Sequence, residues 1–498
     1  MDVEQFQEDV RQGRVDVDRL VELVVTLARQ LEAAQRRIEE LERQLGGGPP
    51  TQKLSEPFSL RAEEKRQQAR GKKRPKKRRP PRRGRTTTAD KIARAERTEQ
   101  VFPKGLAEAD CTLSHTRPVW RLENGRAVLV AYEVYRGPRS QYGKIPGVLG
   151  RSEFGLEIVL AIAYQVYIVG LSFDKVCLLL NFFQHLRLRK SQVDALLGQL
   201  SRHWEGEFDR LCALLAHSAV VHADETSWSI NSAWAFLSEK VRVLFFGVHK
   251  DAETLAQILD PATFAGIVVS DDAAVYANFT HAQKCWAHLL RKAIKLTLLD
   301  PGNTEYRRFT DRLLAIYRAA CRVQCDRRLG DGGRAGKVVE LDDAIVDLCA
   351  PIWVAERAPG EGAANDYRLL CNELMRLMLD RQLFTFVTAA AVKMPRGETA
   401  PVAGTNNEAE RTLRAAAEAR KTGRTSKTLS GARRRTVIVS VLESLRQNLP
   451  TFTLPSVIQE IQSWSAKGTS CFAKLLRKLK LAHPSKSILD LVLPEPSG

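Results

Sequence analysis

The sequence predicts a mixed α/β core with a helical insertion, preceded by an N-terminal coiled coil and a helical region. Three observations carry that expectation. Between residues 217 and 300, apolar runs of strand length alternate with helical patterns. From about 302 to 395 the pattern is wholly helical. The first 48 residues repeat apolar positions at spacings of three and four. The 498 residues, 44% hydrophobic, suffice for at least one sizeable core and exclude a mostly disordered chain.

The coiled coil rests on Val17, Leu20, Val24, Leu27, Leu31, Ala34, Ile38, Leu41 and Leu45, a narrow seam flanked by Arg and Glu. A single amphipathic helix on a globular core would show a broader apolar face. A homodimer or higher oligomer through residues 1–48 is therefore expected. Gly46 to Pro50 end the helix.

Residues 49–100 read as a disordered basic linker. Residues 61–85 hold 14 Lys and Arg against two acids, most of the chain's net charge of +19. Lys72, Lys73, Arg74, Lys76, Lys77, Arg78 and Arg79 form a run that would grip DNA phosphates without reading sequence.

Residues 101–152 read as small and β-rich, with Asn124-Gly125 between apolar runs as a hairpin signal. Residues 153–216 are helical. LSFDKVCLLLNFF and SQVDALLGQLSRHW, with Ser191 as a candidate N-cap, fit a DNA-binding helix-turn-helix and a plain helical hairpin equally.

Residues 217–450 are expected to form an α/β domain. Three strands in a meander come first, then a helix, a strand, a short helix, a strand and a helix. That is the order of an RNase H-like mixed sheet. The insertion at about 302–395 is broken by Gly-rich LGDGGRAG, a loop is expected from Pro395 to Gly404, and two helices follow. Residues 451–498 read as a C-terminal tail in which CFAKLLRKLKL forms a surface helix.

No apolar run reaches the length of a membrane span, and the acidic N-terminus MDVEQFQEDV is no secretory signal. Nine cysteines, mostly in apolar helical stretches, read as free thiols of a reducing compartment. A cytoplasmic, nucleoid-associated protein with a polyanionic partner, DNA, is the expectation.

Asp224 and Asp271 each close an apolar strand. On neighbouring strands their carboxylates would meet at one end of the sheet, where a hard divalent cation would hold them together. Asp272 rivals Asp271 on spacing alone. Glu410 and Glu408, in an arginine-rich helix, are equal candidates for a third carboxylate. Arg411 and Arg414, one turn apart, are candidate phosphate contacts. Cys285 and His288 come from one short segment without a second pair, a weak zinc signal. Cys321 and Cys325 read as ordinary thiols.

Three stretches carry a family resemblance. They are His222-Ala223-Asp224-Glu225-Thr226, Cys285-Trp286-Ala287-His288-Leu289 with Arg291, and Asn406-Asn407-Glu408-Ala409-Glu410-Arg411 followed by Leu413-Arg414. In this order the chain resembles transposases of the insertion sequence 66 family over roughly residues 150–450. The resemblance implies a DDE triad of Asp224, Asp271 and Glu410 holding Mg²⁺ or Mn²⁺, two per site. Asp272 and Glu408 fall outside it. His222, Trp286, His288, Asn406 and Asn407 are implied as supporting residues. The implied activity is metal-dependent cleavage and strand transfer at transposon ends, on transposon and target DNA, with accessory proteins encoded beside it as possible partners. Family members often carry a cysteine-rich zinc segment, but here that region holds only Cys111, so no zinc is expected. Three alternatives stand beside this reading: a DNA-binding relative that has lost catalysis, a nuclease of the same fold, and a coiled-coil scaffold.

Overall fold

The computed structural model describes residues 25–26, 32–33, 86–353, 362–389, 391–393, 399–482 and 486–493. The chain divides into two units, Met1–Arg85 and Thr86–Gly498. In the first, the short helical pieces at 25–26 and 32–33 are exposed. The remainder of the expected coiled coil, and the basic run from Lys72 to Arg79, lie outside the described residues.

The second unit opens on helix α1 (Thr88–Ala93), started by a reciprocal Thr87–Asp90 capping box. Strand β1 (Arg97–Val101) follows and pairs parallel with β3 (Arg126–Arg136). Residues 86–100 therefore correct the expected linker boundary: they carry a capped helix and most of a strand whose backbone is paired. β2 (Thr112–Glu123) completes this sheet antiparallel to β3. The turn between them is at Asn124 (φ 47°) and Gly125 (φ 80°), both left-handed as a two-residue hairpin of this twist demands.

Helix α2 (Leu156–Ala163) runs into a π-helical turn at Tyr164–Ile168, and α3 (Phe173–Gln184) and α4 (Lys190–Leu215) follow. The N-cap of α4 is Arg189 and not Ser191, which lies inside the helix; Arg189 N–H is met by Gln192 Oε1 at 3.0 Å. α4 buries Val193, Leu197, Leu200, Trp204, Phe208 and Leu211. That stripe runs the length of a 26-residue helix, so the second helix of the expected pair is part of the core.

The main sheet is mixed. β4 (Val220–Ser227), β5 (Ser232–Leu237) and β6 (Arg242–Val248) form an antiparallel meander. After helix α5 (Ala252–Ile258) come β7 (Ile267–Ser270) and β8 (Ala282–Lys284), parallel to β4 and to each other. The spatial order is β6-β5-β4-β7-β8, with β4 central. All six residues of β5 are buried, as in a strand covered on both faces.

Helix α6 (Trp286–Leu299) leads into α7 (Thr304–Cys325), α8 (Asp331–Trp353), α9 (Gly362–Leu379) and α10 (Thr385–Thr388). They enclose a second core around Leu313, Ile345, Leu374 and Phe386. The glycine-rich stretch straddles the break between α7 and α8: Leu329 and Gly330 precede α8, while Gly332, Gly333 and Gly336 lie within it, and its later turns are anchored by Leu341, Ile345 and Leu348. Where a loop was expected, β10 (Thr399–Pro401) pairs antiparallel with β9 (Ala391–Lys393).

Helices α11 (Asn407–Lys421) and α12 (Leu429–Asn448) return to the main sheet. α12 covers the edge strand β6 in an unusual way. Thr436, Ser440 and Ser444, spaced four apart on one helix face, accept hydrogen bonds from Phe246 N–H (3.0 Å), Leu244 N–H (2.9 Å) and Arg242 N–H (3.0 Å). Ser440 and Ser444 also donate to the carbonyls of Leu244 and Arg242. The hydroxyls thus replace a missing neighbour strand and close the sheet edge. Ser440→Val is expected to strand the buried Leu244 N–H at a cost of about 1–3 kcal/mol, seen as a lower melting temperature. Ser440→Thr should melt close to the parent; equal melting of Val and Thr variants would show that the hydroxyl is dispensable.

The tail is helical too: α13 (Leu454–Lys467), α14 (Cys471–Lys478) and α15 (Ile488–Val492) add Val457, Ile461, Phe472, Leu476 and Leu489 to the main core. No helix among the described residues is long and apolar enough to cross a membrane.

Candidate active site

β4 and β7 run parallel in the register Val220–Ile267, Val221–Val268 and His222–Val269. Two residues further along that register Asp224 stands beside Asp271, the first residue after β7. β4 runs on to Ser227 while β7 stops at Ser270, so the two aspartates stand side by side where β7 ends, Asp224 within its strand and Asp271 just past its own. Asp224 Oδ1 accepts Glu225 N–H at 3.0 Å, and Asp271 Oδ1 accepts Ala273 N–H at 3.1 Å.

Helix α11 brings Glu410 to this point, and Asn406 places the helix. Asn406 is fully buried. Its Nδ2 donates to the carbonyl of Ala223, the residue before Asp224, at 2.7 Å, and its Oδ1 lies 3.2 Å from His222 Nδ1. Its N–H donates to Cys285 Sγ at 3.1 Å, and its carbonyl accepts Glu410 N–H at 3.2 Å. One side chain thus ties the start of α11 to β4, and its backbone ties it to the start of α6.

Glu410 is held from the other side by α6. Arg291 Nη2 makes an ion pair with Glu410 Oε1, and His288 Nδ1 lies 3.5 Å from the same oxygen. Burial lowers the pKa of His288, and Arg291 adds to that shift. Among the described residues, Cys285, His288 and Glu410 form a group whose ligand atoms all lie within 4.8 Å of one another. The third member comes from α11, over 120 residues on, which spacing within one segment does not reveal.

The rival carboxylates are engaged elsewhere. Asp272 pairs with Arg376 of α9, and Glu408 with Arg242 of β6. Trp286 is fully buried, its Nε1 donating to the Leu383 carbonyl at 2.8 Å. Asn407 and Arg414 are exposed on α11. Arg411, exposed, lines a cleft against β6 and α12.

Sequence reasoning missed several neighbours. Glu225 is buried under Asp224, where Tyr276 donates to it at 2.5 Å and Lys250 pairs with it at 2.6 Å. Lys284 is buried and donates to the Asp271 carbonyl at 3.1 Å and to Ser270 Oγ at 3.3 Å; burial lowers its pKa. The only local signal was Glu225's position inside the His-Ala-Asp-Glu-Thr stretch; Tyr276 and Lys284 carried none.

A family model described as Transposase IS66 family matches residues 151–434, more than half of the chain. The chain belongs to the IS66 transposase family. The matched span contains Asp224, Asp271 and Glu410, and stops short of α13 to α15. Comparison with curated proteins gives no match.

The electrostatics of this transposase-family site centre on Asp224. Burial first, then the charge of Glu225, push its pKa from 3.8 up to about 7, and Asp271 and Glu410 add to the rise. The folded state therefore keeps a proton that the unfolded chain releases between about pH 4 and 7. Stability falls as pH rises through that window, and the full penalty persists above it. In metal-free buffer, Asp224→Asn is expected to melt like the parent near pH 4 and to be more stable by up to about 4 kcal/mol near pH 8. Parallel melting curves at both pH values would show that Asp224 titrates normally.

Proposed function

We propose that this chain is an active transposase that binds its element's ends and cuts and joins DNA by metal-dependent phosphoryl transfer on an RNase H-like core. The observation that carries the reading is the parallel β4–β7 pair, which sets Asp224 and Asp271 side by side under the first turn of the helix that bears Glu410.

The donor set suits a hard divalent cation. Asp224, Asp271 and Glu410 offer carboxylate oxygens, and the raised pKa of Asp224 reports negative charge crowded into a buried place. These three residues would hold Mg²⁺ or Mn²⁺, which when bound neutralises charge on a transferring phosphoryl group and lowers the pKa of an attacking oxygen. The protein's own groups do the positioning. Lys284 fixes the backbone at Asp271, and Tyr276 with Lys250 holds the Glu225 carboxylate, whose charge acts on Asp224. Asn406 sets the helix, while Arg291 and His288 hold Glu410. In the proposed reaction, hydrolysis breaks the bond between phosphorus and the 3′ oxygen at the element's end. The freed 3′ hydroxyl then attacks a target phosphodiester, forming a bond to its phosphorus as the bond to the target's own 3′ oxygen breaks and that oxygen leaves as a hydroxyl. No side-chain nucleophile is required.

The N-terminal heptads would pair two chains and so hold two ends together, and the basic run would add non-specific DNA affinity. One observation favours a second reading, a DNA-binding relative without catalysis: Glu410 is ion-paired with Arg291.

The deciding experiment uses linear DNA carrying the element's own ends, with Mg²⁺, Mn²⁺ or EDTA. Nicking or joining at the ends with either metal and none in EDTA is the expected result. End binding without cleavage, persisting after the neighbouring encoded proteins are added, would establish the second reading. Nicking without joining under the same conditions would make it a nuclease.

A further inference from the structure

A cleft of about 280 Å³ is walled by α11, α12, β6 and the π turn after α2. Four arginines line it, Arg242, Arg411, Arg435 and Arg446, with one acid, Glu443. Arg242 is neutralised by Glu408, and Arg446 by Glu443 at 3.2 Å. Arg411 and Arg435 have no carboxylate partner among the described residues.

Arg435 is the unusual member. It is 8% exposed, and its guanidinium sits 5.2 Å from the ring centres of Tyr167 and Trp228 and 5.4 Å from that of Phe246. Its Nη2 donates to the Arg424 carbonyl at 3.1 Å, while its Nε is buried with no hydrogen-bond partner. Aromatic faces offset part of the cost of burying a cation. They do not supply an acceptor, and a buried guanidinium edge without one is costly unless an anion reaches it.

We propose that this cleft is a phosphate-binding subsite for a DNA strand, with Arg411 and Arg446 at its mouth and Arg435 at its base. The inference rests on the DNA-transposing reading above. Arg411 follows Glu410 directly, so its side chain leaves α11 about 100° around the helix. A strand with one phosphate near Glu410 meets the cleft as it crosses that helix. This position, beside the candidate active site, favours a DNA phosphodiester over a free nucleotide, whose phosphates have the same chemistry.

The test is a binding measurement in EDTA with the full chain, so cleavage plays no part and the basic arm is present in every variant. The probe is a fluorescein-labelled duplex of random sequence. The double substitution Arg411→Ala with Arg446→Ala is expected to weaken binding about tenfold and to flatten the dependence of log affinity on log salt by about one to two. Arg307→Ala with Arg308→Ala, exposed on α7, should change neither. A photoreactive azidophenacyl group on Arg446→Cys should crosslink to the duplex, and this single change decides the matter even if the double variant folds poorly. Unchanged affinity and slope with no crosslink would overturn the proposal. So would loss of ATP binding in the double variant with DNA affinity intact, since the cleft would then serve a free nucleotide. A chain that crosslinks here yet never cuts would sink the catalytic reading and leave the subsite standing.

Discussion

Asp224→Asn is expected to lower metal-dependent cleavage at the element's ends by about 10³-fold or more while leaving end binding within about twofold. The asymmetry follows from where Asp224 sits. It is the central strand's contribution to the site, flanked by Asp271 across the β4–β7 pair and by Glu410 from α11. Its amide replacement keeps the shape and the oxygen that accepts Glu225 N–H, but gives up the charge that would hold a cation. Any DNA grip supplied by arginines and the basic run is untouched, so binding survives. The same variant is expected to be the more stable protein above neutral pH, because the buried charge is gone. Loss of activity with gain of stability is the signature of a functional carboxylate. Cleavage that persists in Asp224→Asn would remove the site from β4 altogether, and a variant that loses both cleavage and stability would assign Asp224 a structural role instead.

Trp286→Ala is expected to destabilise the Thr86–Gly498 unit by about 3–5 kcal/mol. The indole is fully buried, stacked on Tyr317 of α7 at 5.2 Å and near Phe384, and its Nε1 bonds the Leu383 carbonyl. Its own N–H bonds the Gly404 carbonyl at 3.0 Å, just before α11 begins. Trp286 is therefore the joint between β8, the helical insertion and the approach to α11. Cavity formation here loosens α6, which carries both His288 and Arg291, the partners of Glu410. Activity is expected to fall with stability, even below the melting temperature. Trp286→Phe keeps most of the packing, loses one hydrogen bond, and should cost about 1–2 kcal/mol. Denaturant melts of the three proteins check the order. An alanine variant as stable as the parent would show that the insertion docks through other contacts.

The succession of strands along the main sheet was legible because its strands are short apolar runs, whereas which strands lie side by side was not. SAVVHADETS, SAWAFL, RVLFFGV and IVVS each stand out locally, and the Asn124-Gly125 turn announces its own hairpin. The helices of the insertion and α11 were legible from apolar spacing. The choice of Asp271 over Asp272 and of Glu410 over Glu408 was not; it came from resemblance. The fold adds a physical distinction, since Asp272 and Glu408 are each taken up by an arginine from another element. Glycines misled the reading of α8, because burial of Leu341, Ile345 and Leu348 outweighs a poor helix propensity of roughly 1 kcal/mol per glycine.

By itself, then, the sequence determined the alternation of strands and helices, the excess of basic charge before residue 86, and the family motifs, all of which are written in neighbouring residues. Only the tertiary structure decided what Asn406, Arg435 and the Thr436–Ser440–Ser444 row do. Each bonds or stacks on partners remote in the chain: Ala223 for Asn406, Tyr167 and Phe246 for Arg435, β6 for the hydroxyls. A polar residue's value depends on which buried donor, acceptor or ring it meets, and local periodicity carries no record of that meeting.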